Sequence, residues 1–265
     1  MNPETNNESD TNITAPINSK SRVLLTVLTS FAIVIFYQLA GGLLSILFEG
    51  ASQMVIQIVA QTVFLLVPTA VAIKASGDGL ARMIGLGQVK ISRNAFLAFV
   101  GISLCILVVQ GQINLQDALV PESMVEGYNN IKEFFDGEYS ALLGAPHFMD
   151  ILLAAIGACA IPAISEELLF RGYLLGALAS RFSVRTSVVV SALIFALIHF
   201  HPVNFVALFA IGVLLGLLRI RTGSLIAPIM AHFLNNAFSV ATYYADYPSQ
   251  ASGETTIAWY ISLPM

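Results

Sequence analysis

The chain has 265 residues, of which 57% are hydrophobic and only 11% are charged. A water-soluble protein of this size cannot bury so much apolar surface, so the composition excludes one and favours a membrane protein. The net charge of −4 gives no reason to expect a nucleic-acid partner, and none is predicted.

Apolar runs long enough to cross a membrane repeat along the chain after a polar start. Residues 1–19 are rich in Asn, Thr and Glu, which predicts a disordered tail. A helix needs about 20 apolar residues to cross the hydrocarbon core, and about seven runs meet or approach that length. These runs lie at roughly 23–48, 52–74, 94–110, 149–178, 185–201, 203–219 and 224–245.

The predicted fold class is an all-α, polytopic transmembrane helix bundle of about seven spans. Residues 20–148 hold the first spans and an external loop, residues 149–245 hold the remaining spans, and residues 246–265 form a short C-terminal tail. Within the loop, Met124, Tyr128, Ile131 and Phe135 recur at helical spacing. This pattern predicts an amphipathic helix, which either lies on the membrane surface or packs over the bundle.

The basic residues predict how these spans are oriented. Cytoplasmic loops of membrane proteins carry an excess of Lys and Arg, and a cytoplasmic N-terminus places nearly all of them on that side. Lys132 falls on the external side, where the other charged residues are acidic, and Arg171 lies within a span. The residues on the cytoplasmic side are Lys20, Arg22, Lys74, Arg82, Lys90, Arg93, Arg181, Arg185, Arg219 and Arg221.

Ionisable side chains interrupt three of the predicted spans. Such residues are costly in a membrane and usually functional, so they predict a buried polar site. The polar residues of the spans are expected only in the second half of the chain. They are Glu166, Glu167 and Arg171 in span 149–178, His199 in span 185–201, and His232 with Asn236 in span 224–245.

The spacing within the span at 149–178 predicts different roles for its two glutamates. Glu167 and Arg171 are four residues apart, so they lie on one helix face and can neutralise each other. Glu166 is rotated by about 100° from Glu167, which leaves it free for chemistry. Counted from the cytoplasmic arginines at about 1.5 Å per residue, Glu166, His199, His232 and Asn236 fall in one layer of the membrane.

Several functions fit a layer of Glu, His, His and Asn. Glu166 can act as a general base on water, while a histidine and the amide of Asn236 stabilise an oxyanion. Glu166, His199 and His232 can instead bind a divalent metal such as zinc. A proton-coupled transporter or a non-catalytic scaffold or immunity protein remains an alternative, because buried carboxylates and histidines also relay protons.

The three motifs also resemble those of a known family. Glu166-Glu167-x-x-x-Arg171, Phe195-x-x-x-His199 and His232-x-x-x-Asn236 resemble the motifs of the CPBP family, the CAAX-protease and bacteriocin-processing or Abi group. This family includes the type II CAAX prenyl endopeptidases and has been regarded as one of intramembrane metalloproteases, although metal-free glutamate catalysis is an equal alternative. The resemblance covers about residues 150–240.

The resemblance implies an intramembrane endopeptidase. Glu166 and His199 would activate water, His232 and Asn236 would stabilise the oxyanion, and Glu167 and Arg171 would support the site. The expected partners are the lipid bilayer and a membrane-associated protein or peptide substrate. The expected location is a bacterial inner membrane.

Overall fold

The computed structural model describes residues 19–77, 79–84, 96–97, 100–101 and 115–251, and this part of the chain contains helices but no strand. Residues 1–18 of the predicted tail, most of the predicted span 94–110 and residues 252–265 lie outside the described residues. The helices are α1 (Ser19–Leu47), α2 (Gln53–Ala75), α3 (Leu80–Ile84), α4 (Val125–Leu143), α5 (Phe148–Ala179), α6 (Val184–Leu197), α7 (Phe205–Thr222) and α8 (Ile226–Ala251).

Four of these helices are long and apolar enough to cross a membrane, namely α1, α2, α5 and α7. Helix α6 is apolar but has only 14 residues. Helix α8 has 26 residues, and its apolar character is reduced by His232, Asn235 and Asn236. The predicted all-α membrane helix bundle is confirmed.

Helix α6 ends earlier than the sequence predicts. The predicted span 185–201 includes His199, whereas the helix ends at Leu197 and a turn follows. Phe200 in this turn has a positive φ of 49°. Pro202 provides a physical reason, because a proline disfavours helical conformation in the residue before it. His199 therefore lies just beyond the helix end and is not part of a continuous span.

Helix α5 occupies the centre of the bundle. Its segment from Leu168 to Leu175 is buried throughout, and Phe170 packs edge-on against Phe195 of α6. The surrounding cluster includes side chains of α1, α2, α6 and α7. Because α5 is enclosed by its neighbours along this segment, its polar residues must find partners inside the protein.

Small residues allow α6 and α7 to approach closely. A Cβ atom added to Gly212 of α7 would lie 3.0 Å from the Cα atom of Ala192 of α6, and one added to Gly216 would lie 3.0 Å from Val188. Glycines four residues apart commonly let transmembrane helices pack with their backbones in contact. This packing also exposes the carbonyl of Gly212 to α5.

Helix α4 packs over the bundle at one end only. Tyr139, Leu142 and Leu143 near its C-terminus are buried in a cluster with Met54 of α2 and Val240 of α8. The N-terminal half is exposed, as shown by Val125, Ile131 and Phe134. The predicted amphipathic helix is therefore present, and it combines a packed end with an open end.

Three π-helical turns widen the helices around the polar residues. They lie at Gln61–Leu66 in α2, and at Ala155–Ala160 and Leu168–Leu174 in α5. Such wide turns are rare and are frequent at functional sites. The α-helical turn that carries Glu166 and Glu167 lies between the two wide turns of α5.

Candidate active site

Glu166 is the focal point of the buried polar residues. It is 5% exposed, and its Oε1 accepts a hydrogen bond of 3.0 Å from the amide Nε2 of Gln61. Its Oε2 has no hydrogen-bond partner within the described part of the chain. A buried carboxylate oxygen without a partner is costly, so this atom is expected to meet water, substrate or a cation.

Two histidines face the free oxygen of Glu166. The Nε2 atom of His199 lies 3.7 Å from Oε2, and the Nε2 atom of His232 lies 4.0 Å from it. Both histidines are buried. The three residues come from α5, the turn after α6, and α8. The structure thus brings together three of the residues that the sequence places at one depth in the membrane.

The second nitrogen of each ring fixes its orientation. Nδ1 of His199 is hydrogen-bonded to the carbonyl of Phe195, and Nδ1 of His232 lies 3.0 Å from Oε1 of Glu167. Because both partners are acceptors, each Nδ1 carries the proton. The Nε2 atoms of both rings are then directed at Glu166, where each can accept or carry a further proton.

Glu167 and Arg171 form the ion pair expected from their spacing. Nη1 of Arg171 donates to Oε1 of Glu167 at 2.7 Å, and Nη2 donates to the carbonyl of Gly212 at 3.1 Å. The guanidinium also lies 4.3 Å from the centre of the Phe195 ring. Glu167 is fully buried and Arg171 is 1% exposed, so the pair links α5, α6, α7 and α8 away from solvent.

The charges of this cluster do not balance by themselves. Ionised Glu166 and Glu167 carry two negative charges, and Arg171 supplies one positive charge. Buried net charge is strongly disfavoured, so the cluster is expected to hold one additional proton. The positions open to that proton are Oε2 of Glu166 and the Nε2 atoms of His199 and His232.

Asn236 is buried close to α5 but has a different partner. Its Nδ2 donates to the carbonyl of Ala158 at 3.1 Å, and its Oδ1 lies 3.4 Å from Nδ2 of Asn235. One N–H of the Asn236 amide is therefore bound to the backbone of α5. Its predicted role at an oxyanion needs the second N–H of the same amide.

A small cavity lies beside Glu166 and His199. Its volume of about 10 Å³ is roughly the space that one water molecule requires. Tyr37 and Gln38 of α1 also line it. A water held there would be next to the carboxylate of Glu166 and the imidazole of His199, which is the arrangement that general-base activation of water needs.

Glu166, His199 and His232 are also the residues predicted to bind a metal, if one is used. Their donor atoms suit zinc, and the Nδ1 contacts are of the kind that orients histidine ligands. The gaps of 3.7 and 4.0 Å exceed the ~3.3 Å between donors that bonds of about 2.0–2.1 Å would give. Within the described residues, no group of His, Cys, Asp and Glu has the geometry of a preformed metal site.

The sequence reasoning missed one residue of this cluster. Gln61 is 1% exposed and contacts Glu166 across 105 positions of sequence. It lies in the first half of the chain, so the expectation that polar residues of the spans are confined to the second half was wrong. A signal was present, because Gln53, Gln57 and Gln61 recur every four residues in an apolar run.

The part of the chain that carries Glu166, His199 and His232 is similar to a known protein family. Residues 148–238 match the family model described as type II CAAX prenyl endopeptidase Rce1-like. The match confirms the resemblance drawn from the three motifs, and it favours a protease of the CAAX type in the membrane. The Rce1-like region begins with α5 and ends within α8, so it holds Glu166, His199 and His232 but not Gln61.

No curated protein and no solved structure matches the chain. Residues outside the Rce1-like region, including those of α1, α2 and α4, are therefore interpreted from their own structure.

Proposed function

We propose that the protein is an intramembrane endopeptidase that hydrolyses a peptide bond of a membrane-associated protein or peptide. One observation carries the proposal: the free Oε2 of Glu166 faces the Nε2 atoms of two oriented histidines, and Glu166 and His199 line a cavity of water size. The Rce1-like family match supports the same reaction class.

In the proposed reaction, Glu166 acts as the general base. Its Oε2 takes a proton from the water in the cavity, and the water oxygen forms a bond to the carbonyl carbon of the scissile peptide. His199 orients this water through Nε2. When the C–N bond breaks, Glu166 returns the proton to the leaving amine nitrogen, so the carboxylate is regenerated at the end of the cycle.

The additional buried proton gives His232 its role. When that proton is on Nε2 of His232, the cluster of Glu166, Glu167, Arg171 and His232 is neutral and Nε2–H becomes a donor. A donor at this position can stabilise the negative charge that develops on the carbonyl oxygen. Asn236 contributes its second amide N–H, while Glu167 and Arg171 hold His232 in place.

If a divalent metal such as zinc is bound, Glu166, His199 and His232 would hold it, and the ion would polarise the water and the scissile carbonyl. Metal analysis of the purified protein, with His199→Ala as the matched variant, distinguishes metal catalysis from metal-free glutamate catalysis. A stoichiometric metal that is lost in the variant supports metal catalysis, and protease activity retained after chelation supports glutamate catalysis.

We also propose that the protein lies in a bacterial inner membrane with a cytoplasmic N-terminus. The positive charges on the predicted cytoplasmic side support this orientation. The bilayer and a protein or peptide substrate would be its partners.

The test of the function is N-terminal peptide profiling of membranes that carry either the wild type or Glu166→Gln at equal abundance. New N-termini that appear only with the wild type would support an endopeptidase and would identify substrates. Glu49→Gln, at an exposed position in the turn after α1, is the matched control and should leave the profile unchanged. Identical profiles for wild type and Glu166→Gln would contradict the proposal and favour proton-coupled transport.

A further inference from the structure

A second and much larger cavity lies outside the Rce1-like region. It is a cleft of about 510 Å³ between α1, α2 and α4. This volume is within the usual range for ligand sites, which is about 300–1,000 Å³. The polar residues that line it are Tyr37, Gln38, Ser45, Gln53, Gln57 and Glu138.

The cleft adjoins the candidate active site. Tyr37 and Gln38 line both the cleft and the small cavity beside Glu166 and His199. These two residues of α1 therefore border both spaces. A ligand that fills the cleft would contact residues that also border the small cavity beside Glu166 and His199.

Amide side chains lead from the cleft to Glu166. Nε2 of Gln57 donates to Oη of Tyr37 at 2.9 Å and lies 3.4 Å from Oε1 of Gln61. Nε2 of Gln61 in turn donates to Oε1 of Glu166. Further out, Oγ of Ser45 donates to Oε1 of Gln53 at 3.2 Å. The row of glutamines on one face of α2 thus continues from the mouth of the cleft to the buried carboxylate.

This row indicates what the cleft binds. An amide side chain carries both donors and an acceptor, as a peptide group does. An extended polypeptide that enters a membrane must find partners for its backbone N–H and C=O groups, because the hydrocarbon provides none. Gln53 and Gln57 are half-buried in the cleft and can supply such partners along several residues.

The charge around the cleft is negative. Glu138 lines it, and the rest of α4 with the turn before it carries several more acids. Lys132 of α4 is held by Asp117, with Nζ 3.3 Å from both carboxylate oxygens. Burial raises the pKa of Asp136, an effect that Lys132 opposes and Glu133 increases. The other acids of this segment are Glu122, Glu126 and Glu133. A low-dielectric cleft with acids of one sign attracts cations.

We propose that this cleft binds an extended, positively charged segment of polypeptide, with its backbone on the glutamine row of α2 and a basic side chain near Glu138. Together with the proposed function, on which this last step rests, the cleft guides the scissile bond of the substrate to Glu166. The substrate class is thereby a cationic peptide segment that enters from the side of the membrane on which α4 lies.

The test measures occupancy of the cleft without hydrolysis. Ala141→Cys places a reporter thiol among the lining residues, in full-length protein that carries Glu166→Gln and is held in lipid nanodiscs. A neutral methanethiosulfonate reagent labels this thiol, and unsubstituted protein gives the background from native cysteines. Three short peptides serve as probes: a soluble Lys/Ala/Gly peptide, its backbone N-methylated form, and the corresponding Glu/Ala/Gly peptide.

The Lys/Ala/Gly peptide is expected to slow labelling about fivefold when its concentration is about four times its dissociation constant. N-methylation removes backbone donors, and glutamate reverses the charge, so both other probes should protect weakly. Asn130→Cys, exposed on α4 and outside the cleft lining, should be labelled at the same rate with every probe. Glu138→Gln should weaken protection, while Glu49→Gln, at an exposed position that does not line the cleft, should not.

Equal protection by all three probes, or no protection by any of them, would overturn the proposal. The outcome is independent of the profiling experiment. Protection without cleavage products would retain the peptide site and contradict the protease, whereas cleavage products without protection would retain the protease and place its substrate entry elsewhere.

Discussion

Two neighbouring carboxylates of α5 have opposite surroundings. Glu167 is fully buried and binds Arg171 at 2.7 Å and His232 at 3.0 Å. Glu166, one residue earlier, has one amide donor and a free oxygen beside a cavity. Identical side chains can thus serve different purposes, because the environment of each carboxylate sets its charge and its access to water. We therefore expect Glu167 to stabilise the structure, and the proposed function assigns the reaction to Glu166.

The sharpest test of this comparison is to neutralise each carboxylate. Glu166→Gln should reduce cleavage of a substrate found by profiling by about 10²–10⁴-fold, the usual contribution of a general base. The thermal unfolding temperature should change little, because glutamine can still accept the hydrogen bond from Gln61. Cleavage rates and melting curves in the same detergent measure both effects. Retained cleavage would show that Glu166 is not the base.

Removing the positive charge of Arg171 should lower the stability of the fold more than the rate of cleavage. Arg171→Met leaves Glu167 buried without its main partner, and breaking a buried ion pair in this way costs about 3–5 kcal/mol. We expect a large loss of folded protein in detergent, measured by thermal unfolding. Adding Glu167→Gln to Arg171→Met should recover part of that loss. A single variant as stable as the wild type would show that the pair does not stabilise the bundle.

The contact behind Arg171 allows a smaller perturbation. Gly212→Ala places a methyl group 3.0 Å from the backbone of Ala192, which should push α7 from α6 and cost about 1–3 kcal/mol. The matched control is Gly176→Ala in α5, where an added Cβ meets nothing within 4 Å. Gly212→Ala should unfold at a lower temperature than Gly176→Ala. Equal stability of the two variants would exclude a close crossing of α6 and α7.

The smallest predicted effect concerns the orientation of Glu166. Gln61→Met removes the amide that donates to Oε1, so kcat should fall by about tenfold, equivalent to about 1.4 kcal/mol, with KM nearly unchanged. The side chain in Gln61→Asn is too short to restore this hydrogen bond. Gln61→Glu combined with Glu166→Gln exchanges the amide and the carboxylate, so it tests whether the carboxylate must be at position 166. A rise in KM alone would instead assign Gln61 to substrate binding.

Much of the site was predictable because its signals are local. The pairing of Glu167 with Arg171 follows from their spacing of four residues on a helix. The meeting of Glu166, His199 and His232 follows from their similar depth in neighbouring spans, and the three motifs in order gave the CPBP resemblance that the Rce1-like match supports. Composition and the lengths of the apolar runs were enough for the all-α membrane bundle.

The rest depends on contacts that a single sequence does not display. Gln61 reaches Glu166 from 105 residues away, and neither residue indicates the other. The amide of Asn236 is bound to the carbonyl of Ala158, a backbone group that no side-chain pattern reveals. Helix α6 ends at Leu197, but apolar residues continue into the turn that follows. The length of the apolar run therefore does not show where the helix ends.

The wide turns of α5 have a consequence for any comparison of register along this helix. Each turn at Ala155–Ala160 and Leu168–Leu174 accommodates one residue more than a regular turn. A helical wheel drawn at 3.6 residues per turn therefore loses phase there. Deleting one residue from a wide turn would restore a regular turn and keep the two ends of α5 in phase, whereas deleting one from the regular segment Ile161–Glu167 would rotate one end against the other by about 100°. The acidic pair would then lose its partners although every one of them was still encoded.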